Sequence, residues 1–334
     1  RKIPGKPATA ETLPPDRQAA GTSRRINQDL TSVRSHDMPT ETRAALSPAL
    51  RPLAQCLEHS DLKCATRAMA EIQGPVKESG DYFELEARTL ALERRRDEAL
   101  AAIAKALRKE PGRYSYLMTQ GQIYQSFNDQ VSAVRSFLLA DRARPHSSET
   151  FYFLGMSFFF VEEYPRAEKH FLHALVLDPQ NHRATFMLGV LKMITFKLPE
   201  GKAYFEEALK QQPQNPFYHL YYGILLSRMG DLENGIEQVR TAEKLDPFYA
   251  LTHYNLGHLY KQKGDYQAAK EELETAVRLR PGLAEAYYQL GTVYQRLGRK
   301  EDSQKAYQLF QTARVEEKRQ VLDPVESNVL RHEP

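Results

Sequence analysis

Apolar residues recur along this chain at helical rather than alternating spacing, and they come in paired blocks. Across 250–283, Tyr254, Leu256, Gly257 and Tyr260 fall on one helix, and Lys263-Gly264-Asp265 interrupts it. Ala269, Leu273 and Ala276 then mark a second helix that Pro281 stops. The same two-helix pattern returns again and again. Gly121, Gly155, Gly189, Gly223, Gly257 and Gly291 stand 34 residues apart. So do Ala106, Ala140, Ala174, Ala208, Ala242 and Ala276, and likewise Pro111, Pro145, Pro179, Pro213, Pro247 and Pro281. Three residue types locked to one period define an array of one repeated unit, built for its extended surface.

The register gives units at 80–113, 114–147, 148–181, 182–215, 216–249, 250–283 and 284–317. Position 8 of the unit is Gly and position 20 is small (Ala99, Ala133, Ala167, Gly201, Gly235, Ala269), which predicts a close approach of the two helices. Alanine at position 27 lets the second helix lie against the first helix of the next unit. Proline at position 32 lacks an N–H and fixes the turn between units.

These columns, and the stretch AEAYYQLGTVYQRLGRKEDSQKAY in particular, resemble the tetratricopeptide repeat (TPR) family over residues 80–317. Departures are Leu117 and Thr185 at the usual aromatic fourth position and Ala87 in place of the first glycine. The resemblance implies an all-α fold, an α-α superhelix (right-handed solenoid) of tandem helical hairpins. Both ends are atypical, as capping units are. In the last unit Phe310 replaces the position-27 alanine and Val315 the proline, so the final helix is expected to run on into a charged extension and tail over 318–334. Residues 41–79 read as a degraded N-terminal capping repeat, shortened by Pro48 and Pro52, with Ala65, Met69 and Ile72 in second-helix core places. Residues 1–40 mix Pro, Gly, Ser, Thr and charge with little bulk to bury, and read as a disordered leader or linker.

Composition narrows the picture further. No apolar run is long enough to span a membrane. The chain starts with Arg rather than Met, which leaves open a cleaved signal peptide, a clipped precursor or an artificial start. The two cysteines, Cys56 and Cys64, would lie equally far from a hairpin turn near Ser60, so they either form a disulfide or fill a helix contact as two small apolar residues. A bond would favour an exported or periplasmic location over the cytoplasm.

Signatures of chemistry are missing. There is no phosphate-binding glycine loop, nucleophile elbow or H-E-x-x-H motif, so the expectation is no enzyme, no cofactor and no metal. His170 and His173, one turn apart, lack a third ligand and read as solvated or edge residues. His219 and His253 share one repeat position and read as core fillers, and Glu162-Glu163 and Glu271-Glu272 as solvated faces.

What remains is surface. In TPR arrays positions 2, 5, 9, 12 and 13 line the concave side, and here they hold Tyr152, Met156, Phe159, Phe160, Phe186, Val190, Met193 and Ile194, followed by Leu220 and Ile224. Exposed, this run would be a ligand groove; alternatively, FYFLGMSFFF is a helix buried on all sides. Farther along, the columns turn polar and basic at Arg228, Lys261 and Arg296, with Tyr254, His258 and Tyr288 nearby. The two-carboxylate clamp of some TPR proteins does not carry over: Asn255 matches, but Leu220, Ile224 and Glu285 occupy the other places. The leading expectation is a non-catalytic scaffold or adaptor that binds an extended peptide or protein segment with apolar anchors in the concave groove. The alternatives are an RNA- or polyanion-binding helical repeat, for which a net charge of +3 is small, and the adaptor module of a larger enzyme complex. Partner identity and oligomeric state are not legible.

Overall fold

The computed structural model describes the backbone of residues 46–329 and the side chains of residues 46–316; the leader expected at 1–40 lies outside the described residues, as do the last residues of the tail. Among the described residues there are sixteen α-helices, two short 3-10 turns and no strand. Helices α1 (Arg51–Glu58) and α2 (Leu62–Glu71) form a short first hairpin. Then follow α3 (Gly80–Leu92) with α4 (Arg96–Lys109), α5 (Tyr114–Ser126) with α6 (Gln130–Ala143), and α7 (Ser148–Phe160) with α8 (Tyr164–Leu177). Next come α9 (His182–Ile194) with α10 (Leu198–Gln211), and α11 (Pro216–Arg228) with α12 (Leu232–Leu245). The last pairs are α13 (Ala250–Lys263) with α14 (Tyr266–Leu279), and α15 (Ala284–Arg296) with α16 (Lys300–Val329). The fold is the all-α, tandem-hairpin class expected.

The chain divides between Ala184 and Thr185 into two compact units. In the first, α1 and α2 pack on α3, each later helix pairs with its hairpin partner, and α4 and α6 lie against α5 and α7. In the second, α10, α12 and α14 lie against α11, α13 and α15 in the same way. The alanines of position 27, Ala106, Ala140, Ala174, Ala208, Ala242 and Ala276, are all fully buried.

The seam inside each hairpin is closer than a small-on-small contact alone. A methyl group added at Gly121 would sit 2.3 Å from Phe137, and at Gly155, 2.6 Å from Phe171. At Gly223 it would meet Val239, at Gly257 Leu273 and at Gly291 Tyr307. Position 8 is therefore a socket, and position 24, on the second helix, fills it. The small residue at position 20 does approach as expected, since a methyl on Gly235 would lie 2.9 Å from the Gly223 carbonyl. Where Ala87 narrows the socket, the filler shrinks to Ile103, and both are fully buried.

The helix breaks have local causes. Gly264 ends α13 in the left-handed conformation (φ +85°), and the Asp265 carboxylate caps α14 by accepting the Ala268 N–H at 3.0 Å. The same position of the unit is left-handed throughout, at Gly230 and Gly298 but also at Arg94, Asn128, Glu162 and Phe196. In the first hairpin, Asp61 caps α2 through the Cys64 N–H, and Cys56 and Cys64 are joined as a disulfide with Cα atoms 5.4 Å apart. Phe310, in place of the position-27 alanine, turns back onto Tyr288 of its own hairpin (ring centroids 5.5 Å apart).

The socket makes a stability prediction. Gly121→Ala should lower the urea midpoint, with a loss of about 1–2 kcal/mol, because overpacking outweighs the gain in helix propensity. Gly121→Ala with Phe137→Ile copies the Ala87 and Ile103 pair and should recover part of that loss. An unchanged or raised midpoint in the single variant would remove the socket from the account.

Candidate interaction face

Most of the apolar run expected to line a groove is core. In the first unit, Phe159 is wholly buried and Tyr152 and Met156 nearly so. Tyr152 packs edge-on to Phe153, tilts against Phe171 and carries the Arg183 guanidinium 4.2 Å above its ring. Of the four, only Phe160 is partly exposed. In the second unit Phe186, Val190, Met193 and Leu220 are buried, Phe186 stacking on Tyr218 at 4.4 Å, while Ile194 and Ile224 keep partial exposure. The reason is physical: a helix with bulky apolar groups all round its axis has no face to offer water, and its neighbours close over it. These positions do not form an open apolar groove.

The first unit instead holds a polar layer that sequence reasoning missed. Glu84, 2% exposed, accepts hydrogen bonds from Thr119 (2.7 Å) and Ser115 (3.3 Å), and burial pushes its carboxyl up. Asp81 accepts from the Tyr116 hydroxyl at 2.8 Å and pairs with Arg113 at 2.8 Å. In the second unit the buried Lys192 pairs with Glu200 at 2.7 Å. A buried charge costs heavily unless it is matched, and these are matched. Small hydroxyls at Ser115 and Thr119, opposite an acidic residue one repeat earlier, were the available signal.

The basic stretch of the second unit is different. Arg228 ends α11, Tyr254, His258 and Lys261 lie along α13, and Tyr288 and Arg296 on α15; α11 touches α13, and α13 touches α15. The Lys261 ammonium donates to the Gln289 side-chain oxygen across that second contact. Desolvation draws the half-buried Lys261 ammonium down, whereas Arg228 is exposed at the end of α11. Neither has a carboxylate partner among the described residues. Tyr288 is 49% exposed and leans on Tyr307 and Phe310. Arg296 is exposed at the end of α15, and no hydrogen bond or ion pair ties it to the others. Asn255 donates to the Leu251 carbonyl of its own helix at 2.7 Å.

His258 sits inside this face. Burial, reinforced by Lys261 one turn along, holds its pKa down to about 4, so the ring is neutral. Its Nε2 meets the Gln262 amide at 2.9 Å, and its Nδ1 is buried without a partner. His170, half-buried, and His173, exposed, lie at an edge as expected, each against an aromatic ring. His170 stacks on Phe158 and His173 packs against Phe151. His219 and His253 are not mere fillers: each joins a proline carbonyl on one side to a second-helix side chain on the other. Glu272 is one of those side chains and does not belong to a solvated face.

Residues 257–298 match a family model described as TPR repeat, and residues 284–313 one described as Tetratricopeptide repeat. Among solved structures the chain is similar to the APC/C hetero-tetramer Cut9–Hcn1, at 19% identity over 86% of this chain and 66% of that one, with a TM-score of 0.53. It is also similar to PilF of Pseudomonas aeruginosa (18% identity, 66% of this chain, 97% of that one, TM-score 0.54). A third is a tetratricopeptide repeat protein from Parabacteroides merdae (14% identity, 73% and 97% covered, TM-score 0.56). At these identities the likeness is one of fold. No curated protein sequence matches the chain.

The neutral His258 ties this face to pH. Between pH 6.5 and about 4 the unfolded chain takes up a proton on this residue that the folded chain refuses, so stability falls as pH falls through that window. Urea midpoints at pH 7 and pH 5 should therefore differ less in His258→Leu than in the parent. Equal pH dependence in the two proteins would contradict the assignment.

Proposed function

This chain belongs to the tetratricopeptide-repeat family, whose usual role is protein–protein interaction, and we propose that it is a non-catalytic scaffold with its binding face on α11, α13 and α15. The partner is an extended protein segment that brings an acidic group to Arg228 and Lys261 and lies against Tyr254 and Tyr288. One contrast carries the reading. Elsewhere the buried Lys192 is matched by Glu200, whereas the half-buried Lys261 meets only the neutral Gln289 side chain and Arg228, exposed at the end of α11, has no carboxylate among the described residues. A ligand carboxylate supplies the missing charge, and a charge-assisted hydrogen bond in such a setting is stronger than one in open water. Arg296, at the rim, steers association more than it holds the complex. No helix among the described residues is long and apolar enough to cross a membrane.

The test uses a library of extended peptides presented once with acidic and once with basic flanks. Acidic flanks should bind more tightly by roughly tenfold, about 1.4 kcal/mol. Arg228→Glu with Lys261→Glu should abolish that preference and flatten its salt dependence. Equal binding of both peptide sets would sink the proposal. A single-stranded RNA bound more tightly through the same two residues would replace it with a polyanion reading.

A further inference from the structure

Two successive repeats carry the same histidine bridge, and only one of them carries it with acids. In the earlier repeat, His219 Nε2 meets the Pro213 carbonyl at 2.9 Å and Nδ1 meets the Gln238 side-chain oxygen at 2.8 Å. In the next, His253 Nε2 meets the Pro247 carbonyl at 3.0 Å and Nδ1 meets Glu272 at 2.8 Å. Glutamine has become glutamate, and a second acid has been added: Glu243 of α12 lies 3.9 Å from the same Nδ1, at the place where the earlier repeat has Leu209. The earlier repeat holds the same junction with neither carboxylate, so packing does not require the two extra acids.

We propose that Glu243, His253 and Glu272 form a binding site for a divalent transition-metal ion of the zinc class. One ligand atom from each residue falls within 4.8 Å of the others, and the three residues come from three consecutive helices, α12, α13 and α14. One imidazole and two carboxylates suit such an ion and leave room for a water in the fourth position. The hydrogen bond from His253 Nε2 to a backbone carbonyl is the kind of outer contact that fixes a ligating ring, and Nδ1, which meets Glu272 at 2.8 Å, is the atom that would ligate in place of that contact. His253 is buried, while both acids keep partial exposure, so the site opens to solvent on the acid side. Both carboxylates stand beside the same ring nitrogen, and Arg240 and Lys244 lie near Glu243. A bound ion would pin the second helix of one repeat to both helices of the next, so its expected role is to stiffen that junction.

The repeat itself supplies the controls. Glu272→Gln copies Gln238 and Glu243→Leu copies Leu209, so the double variant reproduces a junction that this protein already folds. The full chain, stripped with a chelator, is titrated with Co2+ and then with Zn2+. One Co2+ per chain should give a visible ligand-field spectrum that Zn2+ abolishes, and Zn2+ should raise the melting temperature. The double variant should bind at least about tenfold more weakly and lose both effects, while His219→Gln keeps them. Equal Co2+ spectra and affinities in the parent and the double variant would overturn the site. So would a parent that binds no Co2+ above the level of the double variant.

Discussion

The contact on which this structure depends is the one between a glycine in the first helix of a hairpin and the large side chain that enters its empty place from the second. Without a Cβ at Gly121 or Gly155, the rings of Phe137 and Phe171 sit where a methyl group would be, and the two helices close to backbone range. That distance sets the rest. It brings the small residue at position 20 against the first helix, as Gly235 lies against the Gly223 carbonyl. Because the contact is local to each unit, stability accumulates repeat by repeat rather than in one central core. The socket can vary if its filler varies with it, as Ala87 and Ile103 do in the first repeat.

Much of this was legible in the sequence because backbone geometry imposes period. Glycine, alanine and proline each answer a steric demand that recurs at one place per unit, so the columns announced the hairpins and their boundaries. The filler at position 24 was harder to see, because Phe, Val, Leu and Tyr all satisfy it and no single residue type marks the column. The left-handed turn position was also obscured, since Phe196 and Glu162 stand where Gly264 would reveal it. The largest error concerned the apolar run from Tyr152 to Leu220. Face assignment from repeat position presumes that the concave side is wet, whereas bulky groups at Phe159, Val190 and Met193 fill that side with protein. Position in the repeat fixes direction; only packing decides exposure.

Charge compensation separates the buried polar contacts of this chain from the proposed binding face more sharply than hydrophobicity does. Glu84 with its two hydroxyls, Asp81 with Arg113 and Lys192 with Glu200 are closed systems. Lys261, half-buried beside a histidine too buried to carry a proton at neutral pH, meets only the neutral Gln289, and the exposed Arg228 has no carboxylate partner among the described residues. The sequence offered both kinds as scattered charges on an amphipathic array. Telling them apart required knowing which hydroxyl, carboxylate or amide each one meets across a helix contact.

The central claim is that the apolar middle of the first-helix column is core, and that the proposed binding face lies farther along, around the exposed Tyr288. Denaturant unfolding of Phe159→Glu and Tyr288→Glu tests it most directly. The account predicts that Phe159→Glu loses about 3 kcal/mol or more, the cost of an unpaired charge in a wholly buried place, while Tyr288→Glu, half exposed, leaves the midpoint nearly unchanged. A stable Phe159→Glu protein beside a destabilised Tyr288→Glu protein would contradict it.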